Sequence, residues 1–488
     1  MKRFLFVFVM AAAYLVASCS TAEINAPAQQ QQSQLRPGQE TSYQELIDQI
    51  EAYEEVTNSL PDGGEKEYYR GLIVGLREEL ESAAMNYAGV NGITPKGFSV
   101  RTDTLIYWST DCNGNPIELS GFIHFPLYRG NIQPDMIKGM VINCHATKPQ
   151  GVSIGEIASG FGGMKPDLGS IGNFDALVDG IYSLKQLTAD GVIVLEPDYE
   201  GFGLTSGRPQ TYLCHKLIAK QCADMIEPAL SAANQIFGKD ITGTRGFASY
   251  ITGYSQGGGQ ALALTRYLTV EDKTGLLKKI NLVNSVCGAG PYDPQLTFHT
   301  WLDRKEIGMS VLLPMVLCGY MAGHPDIMAG IDIKSYFSEE YNNYPVKNYG
   351  IPQRVKDMNN GFTQGMRYDI EHGEVWGVVA HRVPIYDLMS ETAKDSASHI
   401  MQALDECLVM EQVCYDWTPV TSVILLAMEN DNMVPVENTH TAYDVLRANA
   451  GSLVSKVIVK HATDHILGQI AYTGLLTGKT KLYKQINK

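Results

Sequence analysis

The chain lacks a cluster of basic residues. Its 38 Lys and Arg are outnumbered by 53 Asp and Glu, giving a formal net charge of -15 and a pI near 5.2. Binding a phosphate backbone needs a basic face, so nucleic acid is excluded as a partner. Cys-x-x-Cys pairs and histidine-rich spacings are missing too, and with them the sequence signatures of a metal site. No internal repeat is present. The apolar runs at residues 4–17 and 308–323 fall short of the roughly 20 apolar residues needed to span a bilayer, and the second contains Pro314.

The amino terminus carries Lys2 and Arg3, then the first apolar run, then Val16-Ala17-Ser18-Cys19. That order is a secretory signal, residues 1–19, ending in a lipoprotein cleavage box. Cys19 is then expected to be the lipidated first residue of an exported protein held on the bacterial cell envelope, with the outer membrane the expected site. Residues 20–41, with a glutamine run at 29–32 and two prolines, cannot bury a core and are expected to form a flexible tether. Nine cysteines are present, and those beyond Cys19 fall in a compartment that permits disulfides. Cys407 and Cys414 are the nearest plausible pair. Cys214 and Cys222 sit on an expected helix with a rise of about 12 Å between them, too far for a bridge. Buried free thiols are the plain reading for most of the others.

Residues 42–96 read as a helical appendage, with Leu46, Ile47 and Ile50, then Tyr68, Leu72, Leu76 and Leu80 on one face. From residue 97 the pattern changes. Residues 98–108 and 117–126 predict paired strands; 140–146, 192–196, 280–287, 423–428 and 456–459 are short apolar runs of the kind buried on both faces of a parallel sheet. Helices are predicted at 173–187 and 211–237. Strands separated by helices imply a doubly wound α/β sheet with right-handed crossovers, formed by residues 97–294 and 419–488. The intervening 295–418 does not read as strands. It predicts a helical cap, in which Met309, Leu312, Met315 and Tyr320 either line a pocket or fill a core.

The stretch with the most chemistry is Gly253-x-Ser255-x-Gly257, entered from a β-rich run and left through the helix-like Gln260-Ala261-Leu262-Ala263. This is the pattern of a nucleophile elbow, where any Cβ two residues either side of the serine would collide with the neighbouring strand and helix. A serine hydroxyl is a poor nucleophile near neutral pH and needs a base, which needs a carboxylate to fix its tautomer. Asp431 follows the apolar run 423–428 and is the first choice of acid, with Asp293 and Glu429 as alternatives; Asp293, after Pro291, also suits a turn. His465 is preferred over His461 as base because it precedes a helix-like stretch at 466–475. An oxyanion hole would use the N–H of Gln256 and that of Ala146 or Thr147, in the loop after the third strand, which opens at His145.

With these residues in place the chain resembles the α/β-hydrolase superfamily, and within it the secretory lipase-like and carboxylesterase-like lipoproteins, over residues 97–474. The resemblance rests on Pro197-Asp-Tyr-Glu-Gly-Phe-Gly203, the elbow, Gly288-Ala-Gly-Pro-Tyr-Asp293, and Asp431-x-x-Val-Pro435 with Asn438 and Thr439 beyond. It implies Ser255 as nucleophile, His465 as base, Asp431 as acid, an acyl-enzyme and no cofactor. Tyr254 is given no duty beyond packing. The expected substrates are small-molecule, lipid or acylated-glycan esters. Two other functions stay open: a serine peptidase, for which Glu339 and Glu340 could hold a peptide amino terminus, and a surface binding protein that keeps the fold without the chemistry.

Overall fold

The computed structural model describes residues 101–127, 137–147, 191–343, 368–369, 371–374, 381–460, 465, 468–469 and 472, and the backbone alone at 34–36, 40–41, 98–100, 128, 131–132 and 375. Cys19 and the signal 1–19, the helical region 42–96, the helix expected at 173–187 and His461 lie outside the described residues.

In chain order the strands are β1 (Gln34–Arg36), β2 (Glu40–Thr41), β3 (Phe98–Thr110), β4 (Pro116–Tyr128), β5 (Asn131–Ile132), β6 (Gly139–Cys144), β7 (Val192–Pro197), β8 (Ala248–Tyr254), β9 (Leu282–Gly288), β10 (Glu306–Ile307), β11 (Glu374–Val375), β12 (His381–Pro384), β13 (Ser422–Met428) and β14 (Val454–Val459). The longer helices are α1 (His215–Phe237), α2 (Gln256–Arg266), α3 (Pro294–Arg304), α4 (Leu312–Gly323), α5 (His399–Met410) and α6 (Val436–Ala450). One sheet runs β1-β3-β4-β7-β6-β8-β9-β13-β14. The strands from β7 to β14 in that order are mutually parallel, while β4 meets β7 antiparallel. The all-buried runs GMVINC of β6 and VIVLEP of β7 explain the parallel half: helices cover both faces, so alternation disappears. β3 and β4 form an antiparallel hairpin from Phe98 opposite Tyr128 to Thr110 opposite Pro116.

Part of the segment expected to be a flexible tether departs from that reading. β1 and β2 pair with β3, Gln34 opposite Ile106 and Glu40 opposite Arg101. The far rail of β3 would otherwise be a free sheet edge, and two short extended pieces satisfy it.

A chain of buried polar side chains crosses the sheet. His124 on β4 lies between Thr102 Oγ1 of β3 at 2.8 Å and Glu196 Oε2 of β7 at 3.2 Å. Asn143 of β6 donates to Glu196 Oε1 at 2.9 Å and accepts from Thr252 of β8 at 3.0 Å. These side chains are buried yet partnered, so the chain ties five neighbouring strands in one register without leaving an orphan charge.

The insertion's apolar side chains, among them Phe298, Trp301, Leu317, Tyr336, Leu388 and Leu404, form a hydrophobic cluster that also takes in Tyr212, Leu213, Cys214 and Met433 of the sheet domain. Contrary to the reading from sequence, it holds a small antiparallel sheet, β10-β12-β11. Strands of two to four residues are too short for a two-residue period to be visible. In α4, Pro314 occupies the first turn, where its missing N–H would have no partner in any case. Among the described residues no helix is long and apolar enough to cross a membrane. Met309, Met315 and Tyr320 are buried in this cluster and Leu312 packs half-buried against it, so they serve the core alternative.

The expected Cys407–Cys414 pairing fails. Both thiols are free, because Cys407 faces the insertion's cluster and Cys414 the main core beside Val413 and Trp417. Alkylation in denaturant without reductant should therefore label both, and a peptide bridged through Cys407 and Cys414 in mass spectra would contradict the fold described.

Asp369 is buried in the insertion. Its Oδ2 accepts from Ser310 N–H at 3.1 Å, its Oδ1 has no hydrogen-bond partner among the described residues, and burial pushes its carboxyl up from 3.8 to about 7. The folded state thus favours the protonated acid, and that contribution is lost as pH rises from about 4 through about 7. Asp369→Asn should raise the melting temperature relative to the parent at pH 8 and lose that advantage at pH 4.5. Parallel melting profiles for the two proteins across this range would count against a perturbed carboxyl.

Candidate active site

The site is assembled where β8 gives way to α2. Ser255 sits between them at φ 56° and ψ -124°, a conformation that costs a side-chain-bearing residue on the order of 1–3 kcal/mol and persists only where the surroundings enforce it. Here they do. Ser255 N–H donates to Gly288 O of β9 at 2.8 Å, and Ser255 O accepts from Gly259 N–H at 3.1 Å. A Cβ on Gly253 would lie 2.1 Å from Gly257 O, and one on Gly257 would lie 2.0 Å from Cys144 O at the end of β6. The two glycines therefore let strand, helix and the β6 exit close around the serine.

The hydroxyl has a partner. His465 Nε2 lies 2.8 Å from Ser255 Oγ, and His465 Nδ1 lies 2.7 Å from Asp431 Oδ2. Asp431 follows β13, as expected. Its other oxygen accepts the N–H groups of Met433 at 2.9 Å and Val434 at 2.8 Å, which fixes the carboxylate plane. Asp431 and His465 are each 3% exposed. With Nδ1–H donated to the carboxylate, Nε2 carries the lone pair that faces the serine proton. The arrangement can take a proton from Ser255 and hold the resulting imidazolium beside a buried carboxylate.

The other residues considered go elsewhere. Asp293 is the N-cap of α3, accepting from Leu296 N–H at 2.9 Å, and also takes Tyr415 OH at 2.8 Å. Glu429 is exposed. Glu339 and Glu340 lie on the exposed start of a single helical turn, with Glu340 beside His372 at 3.1 Å. His145 is stacked on Tyr199 with ring centroids 3.7 Å apart and turns Nδ1 to Ala146 O at 2.8 Å.

Gln256 is the first residue of α2, so its N–H has no helical acceptor behind it. The Gly257 approach to Cys144 O brings that helix start against the β6 exit, where Ala146 is buried and Thr147 is half-buried. Thr147 Oγ1 is engaged with Tyr212 OH at 2.9 Å.

Three supports escaped the sequence. Tyr254, given no duty beyond packing, donates its hydroxyl to His465 O at 2.6 Å, and the two rings lie 5.1 Å apart. Asn432 Oδ1 accepts His465 N–H at 3.2 Å. Tyr472 OH accepts Gly253 N–H at 2.8 Å and donates to Val286 O at 3.2 Å, tying the ends of β8 and β9. Each partner is remote along the chain, so no local pattern marks the pairing. The insertion reaches the same place: Trp301 Nε1 donates to Met433 O at 2.9 Å, and Gly308 is so close to Asn432 that a Cβ would lie 2.2 Å from its carbonyl.

A mostly parallel sheet flanked by helices, with a serine elbow after β8, an acid after β13 and a histidine after β14, is the α/β-hydrolase fold. Solved structures similar to this chain share it. A Legionella pneumophila protein proposed as a hydrolase superimposes at a TM-score of 0.60 and 15% identity over 93% of this chain and 98% of its own. The rice cell wall degrading esterase LipA from Xanthomonas oryzae gives 0.58 and 18% over 82% of this chain and 95% of its own. Candida antarctica lipase A gives 0.51 and 13% over 75% and 73%. No family model matches the chain, and neither does any curated protein.

The Tyr254 contact can be tested apart from any substrate. Tyr254→Phe should lower unfolding stability by about 1 kcal/mol, the usual worth of one buried hydrogen bond, and slow labelling of Ser255 by a fluorophosphonate. Unchanged stability and labelling would assign the hydroxyl no part in holding His465.

Proposed function

We propose that this protein is a serine hydrolase that cleaves carboxylic esters through an acyl-enzyme. The observation that carries the reading is the unbroken run from Asp431 Oδ2 through the His465 ring to Ser255 Oγ, at 2.7 and 2.8 Å. Ser255 Oγ attacks the ester carbonyl while His465 Nε2 takes its proton. Asp431 stabilises the imidazolium, and the negative oxygen of the tetrahedral intermediate is met by Gln256 N–H together with Ala146 or Thr147 N–H. His465 then gives its proton to the departing alcohol. A water molecule, deprotonated by the same ring, releases the acid and restores the serine. None of these steps asks for a cofactor.

In this reading the insertion is the cap over the site, supported by its seat on the acid loop at Asn432 and Met433. Its apolar core favours acyl or aromatic acids over strongly charged substrates. The neighbours described as an esterase and a lipase support ester chemistry, and the exposed, partly engaged Glu339 and Glu340 offer little to a peptidase. Export and tethering through Cys19 fit scavenging of external lipid or acylated-glycan esters.

The test is hydrolysis of p-nitrophenyl esters, from acetyl to long acyl chains, by the full chain. Turnover is expected to fall by about four orders of magnitude or more in Ser255→Ala and His465→Ala, the usual scale for removing such groups. The preferred chain length then sizes the space under the cap. An inactive parent protein across the whole series would overturn the proposal and shift the weight to amide cleavage or binding.

A further inference from the structure

A second group of reactive side chains lies outside the Ser255 constellation, at the seam between the insertion and the sheet domain. Cys214 is the N-cap of α1, His324 the C-cap of α4, and Glu411 the residue after α5. Cys214 Sγ, a His324 ring nitrogen and a Glu411 carboxylate oxygen all lie within 4.8 Å of one another. Cys214 and Glu411 are buried and the His324 side chain is 14% exposed. Thiolate, imidazole and carboxylate are the donors zinc takes, at about 2.0–2.3 Å each, in sites with three protein ligands and one further position. Small side-chain rotations bring donors this close onto one ion.

The surroundings hold the donors in that direction. Glu411 Oε2 accepts Lys216 N–H at 3.0 Å and Glu411 O lies 3.2 Å from His215 Nδ1, which leaves Oε1 turned to His324 Nε2 at 2.7 Å. A capping role at the start of α1 explains Oε2. The 2.7 Å contact with His324 accounts for Oε1 and the imidazole; neither contact accounts for a thiol within reach of both. Among the described residues Cys214 Sγ hydrogen-bonds to carbonyl oxygens, Gly319 at 3.4 Å and Tyr212 at 3.9 Å. His324 N–H is pinned to Tyr320 O at 2.7 Å. The Tyr320 ring packs on His324 with centroids 5.8 Å apart, and its buried hydroxyl has no hydrogen-bond partner among the described residues.

We propose that Cys214, His324 and Glu411 bind one Zn2+, with a water as fourth ligand, and that the ion staples the insertion to α1. Binding releases the Cys214 thiol proton to solvent, and no electron is transferred. The Lys216 backbone N–H orients the carboxylate as outer partners do in zinc proteins, and His215 holds the Glu411 backbone carbonyl. The three ligands come from separate parts of the chain, with His324 and Glu411 alone 87 residues apart, so no spacing motif announces the site. The proposal is independent of the esterase reading.

The test uses the full chain after chelation and dialysis, with Co2+ and Zn2+ as probes. One equivalent of Co2+ should produce a near-ultraviolet thiolate-to-cobalt charge-transfer band that Zn2+ displaces. Zn2+ should raise the melting temperature by ~3 °C or more once well above its dissociation constant. Both effects should persist in Ser255→Ala and vanish in His324→Ala and Cys214→Ser. The partly exposed His324 makes the first of these variants the safer one to fold, and circular dichroism checks it. A parent protein with no cobalt band and no thermal shift would overturn the site, as would binding that survives His324→Ala.

Discussion

The structure depends on the backbone of Ser255. Its left-handed conformation is tolerated because β8, β9, the β6 exit and α2 close on it together, through Gly288 O, Gly259 N–H and the contact of Gly257 with Cys144 O. Were any of these elements displaced, relaxing the turn would swing the hydroxyl out of line with His465. The strain is thus held by the sheet, and the polar chain from Thr102 to Thr252 helps keep that sheet in register.

The parallel arrangement does the rest of the positioning. Strands that run the same way end at the same edge, so the loops after β8, β13 and β14 meet there although their residues are far apart in sequence. Precision comes from hydrogen bonds around the three side chains. Two backbone N–H groups set Asp431, Asn432 and Tyr254 hold the His465 backbone on both sides, and Tyr472 joins the strand ends beneath. None of these supports takes part in proton transfer in the proposed reaction; each holds the carboxylate or backbone of a residue on that line, or the strand end beneath it.

The insertion is more than decoration on this scaffold. Its apolar cluster takes in Tyr212, Leu213, Cys214 and Met433 of the sheet domain, and hydrogen bonds join the two at the loop after β13 and at the start of α1. Whatever moves the insertion therefore acts on Asn432 and Met433, the residues beside Asp431. The Cys214, His324 and Glu411 group lies on the second of these contacts, so an ion there would stiffen the seam without entering the chemistry.

Much of this was legible in the chain because the signals are local. An elbow declares itself within five residues, since its glycines are demanded by contacts two residues away. Buried parallel strands declare themselves as short apolar runs, and the order of serine, acid and histidine follows from where those runs end. Contacts between distant segments leave no such trace. The bond from Tyr254 to His465, the pairing of β1 and β2 with β3, the assignment of Cys407 and Cys414 to different cores, and the convergence of Cys214, His324 and Glu411 were all decided by tertiary structure. The sequence by itself determined the α/β class and the residues that could meet; only the packed fold determined which of them do, because distance in space is set by how layers stack and not by any pattern along the chain.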